Sequence, residues 1–278
     1  MKYKMVCIDM DGTLLNRRKR ISKINKKTIK EAHDRGVEIV VTTGRLYNNA
    51  AYFSKILGVN SPVIAANGAI VIDQKTNEII YEQEIPTDTC IKVLEILQKN
   101  KVYFHFNTTS TIYCNNFLSK LATRIYMSKH VNFENMEVSY KVIKKNTNWL
   151  NIFKIEEGRI AKCIAVSPYK EKIISTRKEL DSLGLVKTFA SGKHSIEINF
   201  NKVSKANAIK ALLEKYGIDR SELMCIGDSE NDIPMIEFSG LGIAMGNAID
   251  SLKKVADYIT DTNNNDGVAK AIQKFILD

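Results

Sequence analysis

Asp9 and Asp11 stand two positions apart where an apolar run through Tyr3, Met5 and Cys7 gives way to Gly12. Side chains alternate along an extended chain, so the two carboxylates project the same way if strand geometry persists that far. Like charges so close are costly unless something positive lies between them. Three further stretches carry polar groups in comparable settings. Thr43 follows the β-branched run Val37–Val41 and precedes Gly44. Lys205 sits at the first position of an expected helix, and Asp228 and Asp232 flank the turn that follows Leu223–Ile226. Carboxylates without nitrogen or sulfur partners suit a hard cation such as Mg²⁺, which takes one or two carboxylates, water and a phosphate oxygen. A lysine, a hydroxyl and backbone amides suit the remaining phosphate oxygens.

Each feature also has a plainer explanation. Asp11-Gly12 and Asn67-Gly68 are common hairpin turns. Lys205 opposes the positive end of its helix dipole, which an exposed lysine tolerates at small cost. Asp232 can serve as a helix-start acid, although that does not account for Asp228 at the strand end itself. In Tyr103–Asn107 the polar face of Tyr103, His105 and Asn107 could meet a ligand or simply face water.

The elements that must position these groups follow from periodicity. Helices are expected from about Ser22 to Arg35, capped by Ser22 and stopped near Gly36, and after Arg45 as far as Leu57. Strands are expected at Val37–Val41, Pro62–Ala66, Ala69–Asp73 and Ile79–Glu82. Strand and helix alternate as in a parallel α/β sheet, whose ligands bind at the carboxyl ends of the strands. Asp9, Thr43 and Asp228 all fall at that end and converge if their strands are neighbours.

From about Gln83 the pattern becomes α+β. It has helices at Asp88–Gln98, Phe117–Lys129 and Tyr169–Leu183, and strands at Val102–Asn107, Thr111–Cys114, Trp149–Ile155, Lys162–Val166 and Leu185–Ala190. The parallel pattern is expected to resume at Ser195, with Ser204 capping a helix stopped by Gly217 and Asp266 capping the last helix. Residues 1–82 and 193–278 therefore read as one domain and 83–192 as an insertion.

Composition fits a soluble globular chain, 44% hydrophobic and 26% charged. No apolar stretch reaches the ~20 residues of a membrane helix, and the start leaves no room for a signal peptide before the first strand. The expectation is a cytoplasmic protein with no membrane partner. Five scattered cysteines argue against a disulfide framework and a zinc site. The net charge of +10 is concentrated between Arg17 and Lys30, with eight basic residues and no acidic one. This reads as a solvated loop and outer helix face, or as a positive rim that draws in an anionic substrate. The run lacks the interleaved aromatics of a nucleic-acid surface, so no nucleic-acid partner is expected.

Asp9-Met10-Asp11-Gly12-Thr13, Thr43-Gly44-Arg45, Lys205 and Gly227-Asp228-x-x-Asn231-Asp232 resemble, in order, the four motifs of the haloacid dehalogenase superfamily. The large insertion between the second and third motifs, with Asn67-Gly68 and Asp266-Gly267-Val268-Ala269, resembles its Cof-type sugar-phosphatase branch. The resemblance implies an α/β fold: a Rossmann-like parallel-sheet core with an inserted α+β cap of the C2 type. It implies a Mg²⁺-dependent phosphatase of small phosphorylated metabolites. Asp9 would be the nucleophile and Asp11 the general acid and base, kept protonated with help from the neighbouring Asp9 carboxylate. Mg²⁺ would be held by Asp9, the Asp11 carbonyl and Asp228, supported by Asp232. The Met10 amide, Thr43, the Gly44 amide, Lys205 and Asn231 would hold the phosphoryl oxygens. A phosphomutase with the same intermediate, or a phospho-aspartate signalling receiver, are the alternative readings. Oligomeric state is not legible.

Overall fold

The computed structural model describes residues 2–121, 139–143 and 148–278. Its first strands are β1 (Met5–Asp9), β2 (Glu38–Thr42), β3 (Val63–Ala65), β4 (Ile70–Ile72) and β5 (Ile79–Glu82). Then come β6 (Tyr103–Asn107), β7 (Thr111–Cys114), β8 (Ser139–Val142), β9 (Lys162–Val166), β10 (Val186–Ala190) and β11 (Ser195–Phe200). The last three are β12 (Leu223–Gly227), β13 (Leu241–Ala244) and β14 (Tyr258–Ile259). No helix among the described residues is long and apolar enough to cross a membrane.

The first unit comprises residues 1–82 and 204–278. Its eight-stranded sheet runs β14-β13-β12-β1-β2-β3-β4-β5, parallel from β14 to β3 and antiparallel over β4 and β5. Every residue of β1 and β12 is buried, as expected for strands covered on both faces. From β1 the chain builds outward through β2 on one side, and through β12 on the other. The carboxyl ends of these three strands therefore meet where the strand order reverses, the usual ligand crevice of such sheets. Register sets Asp9 beside Thr42 and Ile8 beside Ile226. Two helix starts are capped as the sequence implies: Ser22 accepts from the Asn25 N–H and Ser204 from the Asn207 N–H. Asp266 does not cap by its side chain. It adopts a left-handed conformation before the helix Gly267–Ile272 and makes no such bond.

The second unit comprises residues 83–203. Its sheet runs β10-β11-β9-β6-β7-β8 and is antiparallel except between β7 and β8. β11 corrects the expected return point: it pairs antiparallel with β9 and β10, so the chain leaves this unit after Val203 rather than at 192. Alternating Ile196 and Ile198 announce a strand but not the sheet that it joins.

Trp149–Ile155 is a helix, not a strand. Asn148 caps it by accepting the Leu150 N–H, and Trp149, Ile152 and Phe153 recur at helical spacing. They pack on Phe104 and Phe106, with the Trp149 ring centroid 5.4 and 5.5 Å from those rings. Residues 117–121 are helical, and the remainder of the expected 117–129 helix lies outside the described residues.

The polar stripe of β6 does not face water as a whole. Tyr103 is exposed, but His105 and Asn107 are buried, and His105 Nδ1 donates to Asn107 Oδ1 at 2.6 Å. Burial, aided by the nearby Lys162 ammonium and opposed by the Asn107 bond, lowers the His105 pKa to about 4 from 6.5. The unfolded chain therefore takes up a proton between those values that the folded chain refuses. Stability should be intact above pH 6.5 and fall as pH drops toward 4, by about 3 kcal/mol from this group. Trp149, the single tryptophan, reports unfolding of this unit. In urea titrations followed by its fluorescence, His105→Gln should flatten that acid loss, and an unchanged slope would count against the buried neutral imidazole.

Candidate active site

At the carboxyl end of β1 the chain turns sharply, with the Asp9 carbonyl accepting the Leu14 N–H and the Met10 carbonyl accepting those of Thr13 and Leu15. Gly12 makes the turn possible, at φ +89° and with no space for a side chain: a Cβ there would lie 2.2 Å from Asp228 Oδ2. Thr13 Oγ1 donates to Asp228 Oδ1 at 2.9 Å. The first and last motifs are thus in direct contact, the Gly12 backbone and the Thr13 hydroxyl both meeting the Asp228 carboxylate.

Lys205 is the centre of the arrangement. Its side chain is fully buried, and Nζ donates to Asp9 Oδ1 at 2.6 Å and to Asp232 Oδ1 at 2.5 Å. Its place at a helix start, unfavourable by dipole alone, is stabilised by the two carboxylates. Burial would lower its pKa, but Asp232 and Asp9 outweigh this and hold the ammonium above its usual range.

Asp232 Oδ2 accepts the backbone N–H groups of Asp228 and Ser229, both at 3.0 Å. The helix-start explanation for Asp232 holds in this sense, but its other oxygen belongs to Lys205. Ligand oxygens of Asp9, Asp228 and Asp232 all lie within 4.8 Å of one another.

Three carboxylates cluster here around one ammonium, which bonds Asp9 and Asp232. Burial, then the Asp232 charge, push the Asp9 carboxyl well above its usual range against the pull of Lys205. Burial and Asp232 likewise raise Asp228 to about 7, with Thr13 opposing. The donor set is all oxygen, and Asp9 Oδ2 has no hydrogen-bond partner among the described residues. Asp9 and Asp228 fit a hard divalent cation. Asp232 is engaged by the Lys205 ammonium and two backbone N–H groups, which suits it to a supporting place. The oxygens of Asp228 accept instead from the hydroxyls of Thr13 and Ser229, at 2.9 and 3.2 Å.

Asp11 lies apart from this cluster. Arg45 grips its carboxylate from two nitrogens, Nε to Oδ2 at 2.6 Å and Nη2 to Oδ1 at 2.7 Å, and Lys19 Nζ adds a contact to Oδ1 at 2.7 Å. Burial alone would raise its pKa, but Arg45 and then Lys19 hold the carboxyl well below the usual range. The expectation that Asp9 keeps Asp11 protonated does not describe this state, in which two cations keep Asp11 ionised. In the sequence Arg45 marks the second motif and Lys19 belongs to the basic run, but neither is legible there as a partner of Asp11. Their pairing depends on side chains reaching across 34 and 8 residues, and no local pattern records that. Lys19 also leaves the basic surface, whereas Arg17, Arg18, Arg20, Lys23, Lys26, Lys27 and Lys30 are exposed.

The phosphate-binding candidates line up beside this. Thr43 is buried at the end of β2. Its N–H donates to the Ile64 carbonyl at 3.0 Å, and its Oγ1 accepts the Arg45 N–H at 3.1 Å. Gly44 lies in the same turn, and the Met10 side chain is buried under the first loop. Asn231 Nδ2 donates to Oδ1 of Asn67 at 2.8 Å. Asn67 is therefore more than a turn residue, a fact hidden in the sequence by the ordinary use of Asn-Gly.

Removing Lys205 while retaining its partners should be costly. In metal-free buffer, Lys205→Met is expected to destabilise the first unit by about 3–5 kcal/mol, because buried charges lose their counterion. Asp9→Asn should be close to neutral or stabilising there, since it relieves repulsion from Asp228 and Asp232. Urea melts of both variants check the contrast, and equal losses would contradict it.

Residues 6–272 match the family described as haloacid dehalogenase-like hydrolase. The chain is 32% identical over 274 residues to 5-amino-6-(5-phospho-D-ribitylamino)uracil phosphatase YcsE of Bacillus subtilis (strain 168), covering 99% of this chain and 96% of that protein. It is 29% identical to phosphatase YwpJ of the same organism, covering 98% and 100%. A haloacid dehalogenase-like hydrolase from Bacteroides thetaiotaomicron superposes with a TM-score of 0.81 at 30% identity, covering 98% and 99%. With the motifs in order, their side chains gathered at one sheet edge and similarity along nearly the whole length, the chain belongs to the haloacid dehalogenase-like hydrolases.

Proposed function

We propose that this hydrolase is a Mg²⁺-dependent cytoplasmic phosphatase of small organic phosphate monoesters, sugar phosphates or phosphorylated cofactors, acting through an aspartyl-phosphate. The observation that carries the reading is the buried Lys205 ammonium shared by Asp9 and Asp232, with Asp228 in the same cluster. On this reading Asp9 would supply the nucleophilic oxygen, Lys205 a cation for the phosphoryl group, and the neighbouring acids a metal-binding set. The names of its relatives support the substrate class: besides the ribitylaminouracil phosphatase, a phosphoglycolate phosphatase from Methanobrevibacter smithii is 26% identical over 280 residues.

In this reading an Asp9 carboxylate oxygen attacks phosphorus and the bond to the leaving oxygen breaks, with Asp11 giving that oxygen a proton. Water then attacks the aspartyl-phosphate, Asp11 takes a proton from it, and the phosphorus–Asp9 bond breaks to release inorganic phosphate and restore the carboxylate. Asp11 can serve only after Arg45 and Lys19 loosen their hold, so the described state is a resting one. The Met10 and Gly44 amides, Thr43, Lys205 and Asn231 bind the phosphoryl oxygens. Asp9, the Asp11 carbonyl and Asp228 would hold Mg²⁺, backed by Asp232. When bound, the ion supplies the positive charge that one lysine among three carboxylates leaves wanting. Residues 83–203 are read as the family's cap, which chooses the leaving group.

Phosphate release from p-nitrophenyl phosphate and a panel of metabolites tests the proposal. Activity should vanish with EDTA, return with Mg²⁺, and fall by a factor on the order of 10⁴ or more in Asp9→Asn. Metal-independent turnover, or an isomerised sugar phosphate in place of free phosphate, would contradict it. The exposed basic run should also steer anionic substrates. Neutralising Arg17, Arg18 and Arg20, with Lys19 left in place, should lower kcat/KM more at low salt than at high salt. An unchanged salt dependence would reject that role.

A further inference from the structure

Among the described residues, Ala66 and Asn67 are the only consecutive non-glycine pair with positive φ, at 51° and 63°, and Gly68 extends the run at 96°. Such backbone is unfavourable for alanine in particular and persists only where its surroundings enforce it. Here the Thr43–Arg45 turn and the start of the Lys205 helix do so. The Ala66 N–H donates to the Arg45 carbonyl at 2.8 Å, and the Asn67 N–H donates to the Thr43 carbonyl at 2.9 Å. Gly68 is pressed so close to the start of the Lys205 helix that a Cβ would lie 2.3 Å from the Ser204 carbonyl oxygen. The strained loop delivers the buried Asn67 side chain to Asn231, whose Nδ2 donates to Asn67 Oδ1 at 2.8 Å.

We propose that Asn67 is a positioning residue that fixes which face of the Asn231 amide meets the phosphoryl group. A carboxamide presents two N–H donors on one side and a carbonyl oxygen on the other, and a half-turn exchanges them. Toward an anion the first attracts and the second repels. By accepting one N–H of Asn231, Asn67 sets the amide nitrogen on its own side and leaves the other N–H available to an incoming oxygen. The Asn67 N–H bond to the Thr43 carbonyl ties this choice to the Thr43 turn, and the close approach of Gly68 to Ser204 ties it to the Lys205 helix start, so the three phosphate-binding segments are set by one loop. The inference rests on the proposed role of Asn231 in holding phosphate.

A double-mutant cycle tests it. Asn67→Gly removes the acceptor while keeping a residue at ease with φ 63°. It should lower kcat/KM roughly tenfold and weaken competitive inhibition by inorganic phosphate by a similar factor. In an Asn231→Ala background the same change should do almost nothing further, because Asn67 acts through Asn231. Equal, multiplying losses in the two backgrounds would overturn the inference while leaving the phosphate role of Asn231 standing. An Asn231→Ala enzyme with unaltered kcat/KM and phosphate inhibition would remove that role, and the inference with it.

Discussion

One ammonium group, Lys205 Nζ, is held between two buried carboxylates, and the first unit is arranged to satisfy it. The wholly enclosed lysine needs carboxylate oxygens around it, Asp232 foremost, and each acid needs the lysine because it is enclosed too. Asp9 reaches it from the end of the central strand, Asp232 from the turn after a neighbouring strand, and Lys205 from the first turn of a helix. Register between β1 and β12 is what allows the two acids to meet. A slip of one residue would send Asp9 to the opposite face and leave the ammonium with one partner.

The two acids of the first motif show how environment divides the work of identical side chains. Asp9 is enclosed with other carboxylates and is driven toward its neutral form until more positive charge arrives. Asp11, two residues on and partly exposed, is held as an anion by Arg45 and Lys19. Separated pKa values between neighbouring carboxyls are the general means by which one site obtains both an acid–base group and a nucleophile. In the described state the separation runs opposite to what proton donation by Asp11 requires, so the proposed mechanism needs Arg45 and Lys19 to release it first.

Much of this was legible in the sequence because local chemistry dictated it. A β-branched run buried on both faces, Ser204 before a helical stripe and Gly217 after it leave little choice. Trp149–Ile155 was misread because seven residues with apolar positions at either spacing suit a helix or a strand until Phe104 and Phe106 are there to pack against. Alternating Ile196 and Ile198 make β11 legible as a strand but not the sheet that it joins, since hydrogen-bonding partners far along the chain leave no local mark. The contacts of Arg45, Lys19 and Asn67 are hidden in the sequence for a related reason. Each has a sufficient local explanation, as turn, surface charge and hairpin residue, and its role lies in a contact across the fold.

The central claim is that Asp9 itself becomes esterified by the phosphoryl group. Rapid quenching in acid during turnover of a ³²P-labelled phosphate monoester, followed by peptide mapping, measures this directly. The account predicts hydroxylamine-labile label on the peptide containing Asp9, formed and lost at least as fast as steady-state turnover. Full turnover with no label on that peptide would contradict it.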